Sequence, residues 1–242
     1  MKTVVIVPTY NEAGTIAVLI DQILKQGEDI HVLVVDDNSG DNTGKIVDDL
    51  VQNNTRLDII HRPERAGLGT AYICGFKYAL SNNYDFIITM DADFSHNPDD
   101  IPRLQNKVKK GGLVIGSRYC GGIRVLDWPV RRLLLSIGAN CYARTIGGLK
   151  VNDCTSGYRC YSRQVLEKLP LNNIRSNGYA FLIEILFYIS LADCEIEELP
   201  IIFTERRLGQ SKMTKKVILE SAFMPLRMRF CSLFKMSGIR SI

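Results

Sequence analysis

Three times in its first half, this chain drives a strand-length apolar run straight into a polar cluster. Thr3-Val4-Val5-Ile6-Val7 meets Pro8-Thr9-Tyr10-Asn11-Glu12, and Ile30-His31-Val32-Leu33-Val34-Val35 meets Asp36-Asp37-Asn38-Ser39. Phe86-Ile87-Ile88-Thr89-Met90 meets Asp91-Ala92-Asp93. Near-continuous apolar runs of this length suit strands covered on both faces. Residues 15–26, 43–52, 69–80 and 97–110 read as helices, and the short runs 57–60 and 113–116 as further strands. Such alternation predicts an α/β fold on a largely parallel sheet. Ligands of open α/β sheets sit beyond the carboxyl ends of the strands, so the three clusters predict one binding edge. Pro8 is expected to end the first strand.

After Gly116 the rhythm changes. Gly121-Gly122 opens an irregular loop, 128–145 reads as a helix with Pro129 near its start, and 153–159 is polar. Residues 178–192 read as a buried helix carrying Glu184, and 194–203 as a late strand broken by Pro200. No linker or repeat appears. The expectation is one catalytic domain over 1–212, its first half (about 1–118) holding a nucleotide and its second (about 119–212) handling an acceptor.

Composition narrows the function. A net charge of +4 suits an anionic substrate or a membrane surface without demanding nucleic acid, and the basic residues lack aromatic interleaving. Seven scattered cysteines without a CxxC pair read as free thiols of a reducing compartment. The apolar run after Lys2 is too short for a signal peptide, and no segment reaches the roughly 20 apolar residues that cross a bilayer. A cytosolic or peripheral membrane protein is expected.

Asp91 and Asp93 carry the sharpest chemistry. Extended backbone points alternate side chains the same way, so the two carboxylates can converge. Adjacent carboxylates repel unless a cation or several donors sit between them, and a hard divalent ion such as Mg²⁺ or Mn²⁺ often joins carboxylates to phosphates. A polar strand exit with a helix cap near Asn97-Pro98 is the plainer alternative. No GxGxxG follows the first strand and no GxxxxGK[ST] occurs, which argues against a dinucleotide fold and a P-loop. Glu12 and Asp37 could accept hydrogen bonds from ribose or base, and Tyr10 could stack on a base or fill a loop. Arg118 follows the fifth strand. Arg131, Arg132 and Arg144 fit a helix, where a solvated face is their plain reading. Arg206, Arg207 and Lys212 lie in a Gly-containing segment that could close over phosphates or form an ordinary charged loop. Residues 213–242 mix apolar and basic side chains around Pro225, which suits either an interfacial segment or a helix packed on the domain.

Together these stretches resemble the inverting family 2 glycosyltransferases of the GT-A fold, and among them the dolichol-phosphate (polyprenol-phosphate) mannose synthases. The resemblance runs in order from about residue 3 to 212. Besides the three clusters it includes Gly67-Leu68-Gly69-Thr70-Ala71-Tyr72, Ser95-His96-Asn97-Pro98, Gly116-Ser117-Arg118-Tyr119, Trp128 with Arg132, Gly138-Ala139-Asn140 and Thr155-Ser156-Gly157-Tyr158-Arg159. It implies that Pro8, Tyr10, Glu12, Val35 and Asp37 hold the guanosine of GDP-mannose. Asp91, Ala92 and Asp93 would meet the sugar diphosphate, and Arg118, Arg132, Ser136, Arg206 and Lys212 would hold donor and acceptor phosphates. Asp91, Arg118 and Arg132 would carry catalysis. Asp93, Asp91 and Ser95 would take Mg²⁺ or Mn²⁺; Ser95 departs from the family pattern, because some members carry a glutamine ligand there. The implied acceptor is dolichyl or polyprenyl phosphate. The implied place is the cytoplasmic face of a membrane (endoplasmic reticulum in a eukaryote, cell membrane in a prokaryote), held by the chain's own surface segment or by small anchoring subunits. A glucosyltransferase using a UDP-sugar is the alternative of the same fold, and a catalytically dead nucleotide sensor the alternative of another class.

Overall fold

Seven strands in the order β3-β2-β1-β4-β6-β5-β7 form the sheet of the computed structural model, which describes residues 1–174, 176, 178–205 and 223–229. The strands are β1 Thr3–Thr9, β2 Ile30–Asp36, β3 Leu57–His61, β4 Phe86–Thr89, β5 Gly112–Ser117, β6 Arg159–Ser162 and β7 Glu195–Pro200. β1 pairs in parallel with both β2 and β4, and Val4 and Ile6 enter one core while Val5 and Val7 enter the other, so its apolar run is covered on both faces as expected. β6 is the antiparallel member, lying between β4 and β5.

Helices cover both faces. α1 Ile16–Leu24, α2 Thr43–Val51 and α4 Ile101–Lys107 close one side, with Ile16, Leu19, Val47, Ile101 and Leu104 in a shared core with Val5, Val7 and Ile88. α3 Leu68–Ser81, α6 Arg163–Glu167 and α7 Gly178–Leu191 close the other, with Tyr72, Phe76, Val165, Phe181 and Leu186 packed on Val4, Ile6 and Ile87. Close approach on this side needs glycine. A Cβ at Gly75 would stand 2.6 Å from Ile6 Cγ2, and one at Gly69 would stand 2.3 Å from the Ser176 carbonyl oxygen.

Several expected boundaries move for physical reasons. β1 does not end at Pro8 but passes through it to Thr9. Pairing with β4 stops at Ile6↔Thr89, so the missing Pro8 N–H falls beyond the last pair and removes no ladder bond. The helix expected over 97–110 is shorter. Asn97 caps it by accepting from the Asp99 N–H (3.1 Å), a 3₁₀ turn spans Pro98–Asp100, and α4 ends at Lys107. The polar stretch 153–159 leads into β6, a four-residue strand too short to carry a readable period.

α5 Val130–Gly147 differs from every other helix in the chain's core. Of its 18 residues only Asn140 and Ala143 are buried. The segment 223–229 is helical and buries Met224 and Met228 in the core on the α3 side. That part of the 213–242 stretch packs on the domain; the rest lies outside the described residues.

Candidate active site

The ends of β1, β2 and β4 form one edge, and hydrogen bonds lace their loops together. Buried Asp36 accepts from Thr9 Oγ1 (2.9 Å), from Ser39 Oγ (2.6 Å) and from the Ser39 N–H (3.0 Å). The Asn11 N–H donates to Ser39 Oγ (2.9 Å), and the Gly40 N–H to Asn11 Oδ1 (2.9 Å). The Glu12 N–H donates to Thr43 Oγ1 (2.9 Å), which joins the first loop to α2. The loops turn through residues of left-handed backbone: Asn11 (φ 56°) after β1, Asn38 (φ 60°) and Asn42 (φ 69°) after β2, and Phe94 (φ 60°) after β4. Asparagine adopts that conformation readily, whereas in Phe94 it stores strain of roughly 1–2 kcal/mol.

The candidate nucleoside residues sit on this edge in different settings. Pro8 and Val35 are register partners on adjacent strands. Asp37 is buried and accepts from Arg62 Nη1 (2.6 Å) and from the Ala66 (3.2 Å) and Gly67 (2.9 Å) N–H groups. Arg62 also donates to the Gly67 carbonyl (3.2 Å) and to Thr70 Oγ1 (2.8 Å), so it pins the 62–67 loop over the end of β2. Tyr10 lies under the Arg65 guanidinium, 4.0 Å from its ring centre. Nothing in the sequence singles out Arg62 as the anchor of this loop.

Asp91, Ala92 and Asp93 follow β4. Ala92 and Asp93 are buried, and Asp91 is half-buried. Asp93 Oδ1 accepts from the Ser95 N–H (3.1 Å), which tightens the turn. Tyr72, buried beneath, directs its hydroxyl at Asp91 Oδ1 (3.5 Å). Burial first, and the Asp91 charge second, push the Tyr72 phenol well above its ordinary pKa, so it remains a donor. His96 lies buried behind the pair, and its Nδ1 accepts from the Asp91 N–H (3.2 Å). Burial dominates the lowering of its pKa below 6.5, and the neutral ring makes no ion pair with Asp91 Oδ2, 3.9 Å away. It stacks on Tyr158 (centroids 4.8 Å apart) and meets Phe203 edge-on (5.4 Å).

A divalent cation fits the chemistry of this turn. Asp91 and Asp93 leave the same turn, and Ser95 Oγ is buried with no hydrogen-bond partner among the described residues. No cluster of three histidine, cysteine or acidic side chains stands there among the described residues. A bound ion would therefore take two or three oxygens from Asp91, Asp93 and Ser95, with phosphate and water oxygens supplying the rest, as is usual for Mg²⁺-type ions.

Arg118 leaves β5 and is almost fully buried. Its Nε and Nη2 donate to Asp153 Oδ2 (2.7 Å) and Oδ1 (2.6 Å) in a two-point pair, and Nη2 also reaches Thr155 Oγ1 (2.7 Å). Tyr119, Trp128 and Phe203 surround the guanidinium, with ring centres 5.4, 5.7 and 5.4 Å away. Burial opposes ionisation of Asp153, yet the Arg118 charge and hydrogen bonds outweigh it and hold the carboxyl below its ordinary 3.8. Arg132 is more exposed. It lies over Trp128 (4.0 Å) and pairs with Glu205 (2.6 Å). Ser136 accepts from the Tyr119 hydroxyl (2.7 Å). Arg206 and Lys212 lie outside the described residues.

Residues 203–205 bridge the two groups. Phe203 touches His96, Trp128 and Arg118, the Thr204 N–H donates to the Ser95 carbonyl (3.3 Å), and Glu205 meets Arg132. The acidic turn and the arginines thus share one continuous wall. His96, Asp153 and Glu205 are the contributors that sequence reading did not assign.

An acidic strand-end edge on a mostly parallel sheet stands beside a buried, oriented arginine, a combination that suits phosphate-bearing ligands. The chain belongs to glycosyl transferase family 2, whose model matches residues 4–170. It is 43% identical over 224 residues to the polyprenol monophosphomannose synthase of Mycolicibacterium smegmatis, covering 92% of this chain and 84% of that protein. It is 38% identical over 221 residues to the undecaprenyl-phosphate mannosyltransferase of Micrococcus luteus, covering 91% of each. The fold matches the GT-A enzyme glucosyl-3-phosphoglycerate synthase from Mycobacterium tuberculosis, solved with Mn²⁺, UDP and glucosyl-3-phosphoglycerate (TM-score 0.63, 20% identity, 99% of this chain and 81% of that one). It also matches the mannosyltransferase PcManGT from Pyrobaculum calidifontis, solved with GDP-Man and Mn²⁺ (TM-score 0.58, 17% identity, 100% and 76%).

Proposed function

We propose that this enzyme transfers mannose from GDP-mannose to a polyprenyl phosphate with inversion at C1. The observation that carries the reading is the shared wall of Asp91-Ala92-Asp93 and the arginines, in a chain so similar to a polyprenol monophosphomannose synthase. The edge formed by Pro8, Tyr10, Glu12, Val35 and Asp37 receives the nucleoside. Asp91 and Asp93 hold Mg²⁺ or Mn²⁺, with Ser95 Oγ beside them. When bound, the ion neutralises the departing diphosphate.

The nucleophile is a phosphate oxygen of the lipid, already ionised because the second pKa of a phosphate monoester is about 6. No side chain needs to remove a proton, and neutral, buried His96 fits a supporting role. The chain's task is to hold two anions in line. Arg118 and Arg132, with Ser136 and the 206–212 segment, bind the acceptor phosphate. The new bond joins a phosphate oxygen to C1 as the bond from C1 to the diphosphate breaks on the opposite face.

Around that site the surface suits a lipid. Val130 (69% exposed), Leu134 (63%) and Leu135 (75%) of α5 stand in solvent, as do Ile123, Leu126 and Ile202. Residues 124–126 pair with Phe203, so these apolar groups adjoin the wall that holds Arg118 and Arg132. Arg124 and Arg131 are exposed among them. No helix among the described residues is long and apolar enough to cross a membrane. An apolar strip edged with cations suits the cytoplasmic surface of an anionic bilayer, with the rest of 213–242, or small anchoring subunits, adding further hold.

The test is transfer of radiolabelled mannose from GDP-mannose to a polyprenyl phosphate, with and without EDTA. Lipid-extractable product that chelator abolishes supports the reading. Product from UDP-glucose alone would reassign the donor, and no transfer from any donor in the presence of vesicles would overturn the reading.

A further inference from the structure

A carboxylate beside a phosphate-binding arginine works against the attraction that arginine offers. Asp153 nevertheless holds Arg118 at three points: both oxygens accept from its guanidinium, and Oδ2 also accepts from its backbone N–H (3.0 Å). Asp153 is fully buried and Arg118 nearly so.

The pair does not float. Glu198 of β7 accepts from the Asn152 N–H (2.9 Å), the Asn152 side chain (2.7 Å) and the Asp153 N–H (3.0 Å). Buried Asn140, from α5, accepts from the Cys154 N–H (2.7 Å) and donates to Thr155 Oγ1 (3.2 Å). Three backbone carbonyls, of Cys154, Ser156 and Leu182, accept from Arg159, whose side chain is fully buried (2.8–2.9 Å). The turn 152–156 is therefore anchored to β7, α5, β6 and α7. That is far more scaffolding than charge neutralisation alone requires.

We propose that Asp153 is a positioning residue: its anchored carboxylate fixes the orientation in which the Arg118 guanidinium meets phosphate. The proposal rests on the reading of Arg118 as a phosphate ligand. A guanidinium presents its donors in a rigid plane, so one edge held two-point by Asp153 sets the direction of the others. The Arg118–Asp153 pair is neutral overall. Its worth to the reaction lies in geometry, where a displacement of about 1 Å can cost about a hundredfold in rate.

The test is a double-mutant cycle on the full chain in vesicles: Asp153→Asn, Arg118→Ala and the two combined. The readouts are kcat, acceptor KM, GDP-mannose affinity by calorimetry and thermal midpoint. Asp153→Asn keeps the shape and loses the charge. We expect GDP-mannose affinity to hold within about twofold, kcat to fall about tenfold or more, and the combined variant to be no slower than Arg118→Ala, since groups that act as a unit are not additive. Unchanged kcat in Asp153→Asn, losses that multiply, or loss of donor affinity along with kcat would each overturn the proposal. Wild-type turnover in Arg118→Ala would instead remove the phosphate reading of Arg118 on which it rests. If Asp153→Asn does not fold, Thr155→Val takes away the remaining Nη2 acceptor and leaves the carboxylate in place. A smaller loss of kcat that vanishes in the Arg118→Ala background supports positioning, and a loss that persists there counts against it.

Discussion

The proposed donor edge and α5 solve opposite problems with the same chain. At the ends of β1, β2 and β4, Asp36, Asp37 and the Asn11 and Ser39 side chains are all tied to neighbouring loops before any ligand arrives. α5 does the reverse, leaving Leu134 and Leu135 in water while it buries Asn140. A small polar donor rewards a rigid edge, because each pre-oriented group spares ordering cost on binding. A lipid rewards an uncovered apolar strip, because burial against acyl chains occurs only at the membrane. The difference teaches that the strand-end edge is ordered by its own hydrogen bonds, whereas the apolar face of α5 finds no cover within the described fold.

Removing the acidic pair breaks the comparison most severely. Asp93→Ala should lower mannosyl transfer by about a hundredfold to a thousandfold, the scale seen when a group stabilising charge in the transition state is lost. Far-UV circular dichroism should be unchanged, and a loss below tenfold would detach Asp93 from the chemistry. Arg118→Ala comes next. It strands Asp153 as a buried, unpaired carboxylate, so besides slow turnover it should cost about 3–5 kcal/mol of stability by urea unfolding. An unaltered midpoint would mean that the buried pair is not formed in solution.

On the α5 side the effects should separate function from stability. Leu134→Asp with Leu135→Asp should leave the unfolding free energy within about 0.5 kcal/mol of wild type, as exposed sites do. Binding to anionic vesicles and turnover on long-chain acceptor should fall about tenfold, with a short-chain, water-soluble acceptor turned over normally. Equal losses on both acceptors would sink the membrane role. Acid adds a weaker effect. The Asp153 carboxyl titrates below 3.8 in the folded protein, so its contribution is complete above that pH and lost as pH falls beneath it. Acid unfolding of Asp153→Asn should lack that component. The smallest effect is expected of Ser39→Ala, about 1 kcal/mol from hydrogen bonds at the donor edge, with a modest rise in GDP-mannose KM and no change in vesicle binding.

Most of the sheet was legible because its strands announce themselves. β1, β2 and β4 are apolar runs closed by polar clusters, and burial on both faces demands that pattern. β6 was not legible: Arg-Cys-Tyr-Ser shows no period, and its place between β4 and β5 depends on pairing with strands more than forty residues away in sequence. The acidic edge was legible from Asp91 and Asp93. The occupation of Asp37 by Arg62, and of Arg118 by Asp153, was not, since neither pair has a local spacing that signals contact.

By itself, then, the sequence determined the α/β layering, the carboxylates at the strand ends and the wealth of arginine after β5. Those depend on local periodicity and residue chemistry, which a chain carries in its order. Only the tertiary structure decided that Phe203 and His96 join the acidic turn to Arg118, that a carboxylate fixes that arginine, and that α5 keeps its leucines outside. These are matters of which distant side chains meet and which surfaces find no neighbour, and burial is settled by the assembled fold.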